Sequence, residues 1–88
     1  MNSKDLMLAA ITKWGIDSQI DMVIEECAEL INAIQKWRRG RKTEDEVLEE
    51  GVDVGLCLEQ LKLILHKPSS DWEKVRYDKL VRLERRLK

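Results

Sequence analysis

The sequence predicts an all-α protein: an antiparallel four-helix bundle that assembles as a homo-oligomer. Three observations lead there. Apolar residues recur at spacings of three and four, no stretch alternates as a strand does, and glycine, proline and capping residues cut the 88-residue chain into four segments. Long amphipathic segments joined by short loops pack antiparallel, because each apolar stripe needs a neighbour.

The first segment reads as a helix from about Lys4 to Trp14, with Gly15 in the left-handed position that ends it. Asp17 is the expected N-cap of a second helix, from about Ser18 to Arg39, which Gly40 closes. Thr43 to Glu46 (TEDE) is a capping box opening a third helix that runs to about His66, where Pro68 stops it. Ser70 to Glu73 (SDWE) has the same form and is expected to open a last helix reaching the C-terminus.

Residues 1–88 are read as one domain. At 43% hydrophobic and 38% charged residues, the chain is apolar enough for a core and excludes disordered or disulfide-rich classes. With no Phe and 5% aromatics, that core is Leu, Ile, Val, Ala and Met, so self-association would help stabilise it. Sixteen basic against seventeen acidic residues exclude the basic excess of a nucleic-acid binder, so no stable nucleic-acid partner is expected. The early apolar run Leu6–Ile11 is too short to span a membrane, and a cytoplasmic location is expected. Cys27, Cys57 and the single His66 cannot complete a four-ligand zinc site, so the cysteines read as buried, reduced thiols.

The third segment is apolar on almost all sides. Val47, Val54, Leu58, Leu61 and Leu65 form one stripe, while Leu48, Val52, Leu56 and Leu63 cover much of the other side. Four helices of this length hardly enclose such a helix, which predicts a subunit interface on its second face.

Two acid pairs stand out against this pattern. In the second helix the main apolar stripe is Ile20, Val23, Ile24, Cys27, Ile31 and Ile34, yet Glu26 and Glu29 share a mildly apolar strip with Met22 and Ala33. In the third, Glu50 and Asp53 fall within or beside the arc carrying Cys57, Leu61 and Ile64. Carboxylates three apart project from one side of a helix, and like charges that close repel unless a cation lies between them. Antiparallel packing would gather all four, and oxygen-only ligands suit a hard cation, Mg²⁺ or Mn²⁺. A di-iron site would need Glu-x-x-His on two helices, which one histidine cannot supply. Basic residues cluster at the end of the second helix and loop (Lys36, Arg38, Arg39, Arg41, Lys42) and along the last helix. They also serve as helix-dipole partners or ordinary helix surface. Bases beside acid-bound metal nevertheless suit a polyphosphate.

The run from Trp14 to Arg41 (WGIDSQIDMVIEECAELINAIQKWRRGR), followed by LEEGVDV from Leu48 and LEQLKLIL from Leu58, resembles the small MazG-like members of the all-α nucleoside triphosphate pyrophosphohydrolase superfamily. Its signature is E-x-x-E, a spacer, then E-x-x-D; Glu26 to Glu29 and Glu50 to Asp53 fit it, with twenty residues between. The final KLVRLERRL from Lys79 is similar to the C-terminal helix of phage-type and bacterial short forms. The resemblance implies Mg²⁺-dependent hydrolysis of an NTP or dNTP between the α and β phosphates, giving a monophosphate and pyrophosphate, at sites built between subunits of a homodimer or homotetramer. By position it implies that Glu26, Glu29, Glu50 and Asp53 are metal ligands and that Glu25 is an outer-sphere group or base. Lys36, Arg39, Lys79 and Arg82 would hold phosphates, and Gln19 and Trp14 would contact the base. Gly51 and Gly55 depart from the pattern, standing where bulkier residues are expected. Glu46 likewise stands where longer members often carry Lys. The alternative reading, from a different class, is a non-catalytic helical oligomerisation or regulatory module with a structural cation site.

Overall fold

A computed structural model describes residues 1–88 and contains four helices and no strand. They are α1 (Ser3–Trp14), α2 (Ile16–Arg38), α3 (Glu44–Ile64) and α4 (Ser69–Leu87). The fold is therefore all-α, consistent with a four-helix bundle. No helix is long and apolar enough to cross a membrane.

The punctuation explains most boundaries and corrects some. Asn2 caps α1, its Oδ1 accepting from the Asp5 N–H at 2.8 Å. Gly15 has φ +90° and ψ 156°, which is not the left-handed helical position but a region open essentially to glycine alone. It ends α1 and directly precedes α2, so Asp17 lies in the first turn of α2 rather than at its N-cap. At the other end Gly40, at φ +74°, donates to the Trp37 carbonyl while Arg41 donates to that of Lys36, the paired bonds of a Schellman turn. The Thr43–Glu46 capping box is present in both directions. Trp37 Nε1 donates to Glu44 Oε1 at 3.0 Å, tying the end of α2 to the start of α3 and holding the Glu44 carboxyl below its ordinary range.

α3 ends at Ile64, two residues before the expected His66, which itself takes the positive-φ turn position at φ 55°. The second capping box does not form. Pro68 occupies the N-cap of α4, no side chain caps that end, and Ser70 lies inside the first turn.

α2 and α3 form the principal pair, and α1 packs across both. The inward face of α2 is also not the expected one. Gln19, Val23 and Ala33 are buried, whereas Ile24 and Ile31 are about 60% exposed. At 100° per residue this rotates the helix by about a quarter turn, bringing the Glu26 strip rather than the isoleucines toward α3. On α3 the buried residues are Cys57 and Gln60. α4 buries no residue; its tie to the body is the Lys62 ammonium, 4.7 Å from the centre of the Trp72 ring.

Candidate functional site

The α2–α3 seam keeps one antiparallel register. Glu29 with Glu50, Glu26 with Asp53, and Gln19 with Gln60 stand opposite one another when the helices run antiparallel, because each step forward along α2 is matched by an equal step back along α3. Glu26, Glu29 and Glu50 each bring a carboxylate oxygen within 4.8 Å of the others. Glu26 and Glu50 are half-buried and Glu29 is exposed. Grouped acids are common on protein surfaces. Here, however, Glu26 Oε2 and Glu50 Oε2 are both buried with no hydrogen-bond partner. A buried acceptor left unpaired costs roughly 1–3 kcal/mol, more when charged.

The electrostatics agree with that geometry. Desolvation first, then the charges of Glu29, Asp53 and Glu50, hold the Glu26 carboxyl above its ordinary range. Burial pushes the Cys57 thiol up as well, with Glu26, Asp53 and Cys27 adding to the effect. Cys57 is a buried thiol beside the cluster, held toward its protonated form. Both cysteines are free, Cys57 buried and Cys27 half-buried.

Asp53 stands just outside the three-carboxylate group, facing Glu26 across a groove of about 410 Å³ between α1 and the α2–α3 pair. Met7, Met22, Leu56 and the half-exposed Trp14 supply its apolar walls, and Gln19 and Gln60 its buried amides. Gln19 is 2% exposed, and its Nε2 is a buried donor without a partner.

The remaining sequence candidates divide by position. Glu25 is exposed and outside the cluster. Lys36 is half-buried and continues the Glu29–Ala33 stripe two turns beyond Glu29, with Arg39 at the C-cap of the same helix. Lys79 lines a different groove, on α4 with Leu65 and Trp72, and Arg82 is exposed on α4. Within one chain the helix that carries Lys79 and Arg82 is thus not packed on the α2–α3 pair. Gln60 is the groove residue that the sequence reading missed. Its signal is the spacing of seven from Asp53, which mirrors the seven between Gln19 and Glu26 on the antiparallel partner.

No protein-family model, curated protein or solved structure matches this chain.

Proposed function

We propose that the protein is a Mg²⁺-dependent nucleoside triphosphate pyrophosphohydrolase of MazG-like type, working as a homo-oligomer. The observation that carries this reading is the meeting of three carboxylates from two helices with two buried, unpartnered oxygens among them. Such oxygens fit a hard divalent cation, held by Glu26, Glu29 and Glu50 with Asp53 adjacent. When bound, that cation supplies Lewis acidity and positive charge against a polyphosphate.

The chain's own residues supply the rest. The groove beside the carboxylates accepts a planar base, with Trp14 as an apolar wall and the unpaired Gln19 amide as a donor to a ring acceptor. Lys36, further along the carboxylate stripe, is placed to hold the phosphate end, with Arg39 beyond it. Water adds to the α phosphorus as the bond to the bridging oxygen breaks, so the products are a nucleoside monophosphate and pyrophosphate.

The test is a panel of NTPs and dNTPs with Mg²⁺, with coupled assays that distinguish pyrophosphate from orthophosphate. Pyrophosphate release that disappears in Glu50→Gln supports the reading. Orthophosphate as the first product, or wild-type turnover by Glu50→Gln, overturns it. Absence of cleavage with every nucleotide favours the non-catalytic module.

A further inference from the structure

The groove beside the carboxylates ends in two buried glutamines. Gln19 of α2 is 2% exposed, Gln60 of α3 is 6% exposed, and both line the groove. Each lies seven residues from an acid of the same groove, Gln19 from Glu26 and Gln60 from Asp53. At 1.5 Å per residue that is about 10 Å along either helix, so the two amides stand together two turns from the carboxylates.

Buried amides in a helix seam ordinarily serve the fold, bonding one another or the backbone. This pair does not. Gln19 Nε2 has no hydrogen-bond partner, and no side-chain hydrogen bond of the chain involves either glutamine. A methionine in either place would fill similar space without leaving a donor unpaired, so the amides are explained by a ligand edge that completes them. The wall facing them is light. No residue of α1 is buried, and that helix can move outward for a ligand without opening a core.

The same end of the groove carries no charge. The only charged side chains lining the groove are Glu26 and Asp53, at its other end. Met7, Met22 and Leu56 suit the faces of a planar ring, and the amides suit its edge. Hydrogen-bond chemistry selects the ring. A primary amide presents a donor and an acceptor side by side, and it pairs with an edge that offers an acceptor beside a donor. Adenine offers such an edge twice, because its N6 amino group carries two hydrogens, one next to the N1 acceptor and one next to N7. Two opposed amides therefore satisfy both sides of one adenine. Cytosine has a ring acceptor on one side of its amino group only. Guanine places O6 beside N7, two acceptors that suit an Arg or Lys, and this groove has neither. Uracil and thymine have a single N3 hydrogen to share between two amide oxygens.

We propose that Gln19 and Gln60 form a paired amide clamp that selects adenine, which makes ATP and dATP the preferred substrates. One amide takes the N1 side of the amino group and the other takes the N7 side, and Gln60 is the specificity-determining residue contributed by α3. The preference for adenine rests on the groove, while the triphosphate rests on the pyrophosphohydrolase reading above.

Free nucleosides, without phosphate or metal, separate base binding from hydrolysis. Adenosine, guanosine, cytidine and uridine are titrated into the isotope-labelled protein, and the side-chain amide resonances of Gln19 and Gln60 are followed by NMR. Adenosine should shift both amides and bind at least about tenfold more tightly than the other three. 1-Deazaadenosine and 7-deazaadenosine, each lacking one ring acceptor, should each bind at least about tenfold more weakly than adenosine, and Gln60→Met should level the four nucleosides. The analogues are tested on the wild-type chain, so their result does not depend on how Gln60→Met folds. Equal affinity for the four nucleosides, or adenosine binding indifferent to Gln60→Met or to either analogue, overturns the clamp. So does the absence of any amide shift up to millimolar adenosine. Pyrophosphate release without an adenine preference overturns the clamp and leaves the hydrolase reading standing, whereas selective adenosine binding with no nucleotide cleaved does the reverse.

Discussion

The α2–α3 seam and α4 are all helical and end in opposite states. α4 has an apolar strip, ion pairs of its own and no buried residue, whereas α3 spreads its apolar residues over several faces among seven acids and supplies two of the five buried residues. A helix's pattern tells which face it can bury, but burial requires a partner of complementary shape within reach. At the seam that partner is the neighbouring helix, and it draws carboxylates inward as well as apolar side chains. At α4 the apolar face is complete and uncovered.

The largest difference expected between the two regions is catalytic. Glu50→Gln at the seam should lower nucleotide hydrolysis by at least about 100-fold, roughly 2.7 kcal/mol of transition-state stabilisation. The double variant Glu26→Gln/Glu50→Gln should lose little more, since ligands of one cluster act as a unit. Substitution of Leu83 on α4 by Ala should change turnover far less. Steady-state rates at saturating Mg²⁺ measure all three.

Mg²⁺ should stabilise the seam, by about 2.7 kcal/mol at a concentration one hundred times its dissociation constant. Without divalent cation the pH dependence has a defined sign. The Glu26 carboxyl is held above its ordinary value of 4.5, so in the window just above that value the folded chain binds more protons than the unfolded one. Stability should therefore fall as pH rises through the window, and Glu26→Gln should remove that fall. Thermal melts in EDTA and in Mg²⁺ across this range check both effects; an identical midpoint in the two media would rule out a folded-state cation site.

Packing gives the next contrast. Ala33, 1% exposed, lies where α2 meets α3, and Ala33→Leu should destabilise by about 1–3 kcal/mol through overpacking. Leu83→Ala, on a half-exposed α4 position, should cost less than about 0.5 kcal/mol. Urea titrations of the two variants separate these cases.

The smallest expected difference is at the helix starts. Thr43→Ala removes a capping box present in both directions and should cost about 1 kcal/mol. Ser70→Ala should be nearly neutral, because Ser70 caps nothing. Equal effects would mean that the two N-termini are not distinguished as the structure has them.

The sequence alone determined the four helices, the Gly40 turn and the Thr43–Glu46 box, because these depend on backbone preferences and on contacts within a few residues. It also contained the register of the seam. Once α2 and α3 are antiparallel, the spacings between Gln19, Glu26 and Glu29 match those between Gln60, Asp53 and Glu50 in reverse order. Only the tertiary structure decided which side of α2 turns inward. The isoleucine stripe is the more apolar, yet α2 presents Glu26 and Ala33 to α3, where Ala33 is almost completely buried. The failure of the SDWE segment to cap α4, with Pro68 at the N-cap, and the separation of Lys79 from the carboxylates were settled at the same level. Local pattern fixes what a helix can bury, while the direction it faces depends on the surfaces available around it, and these belong to the folded chain as a whole.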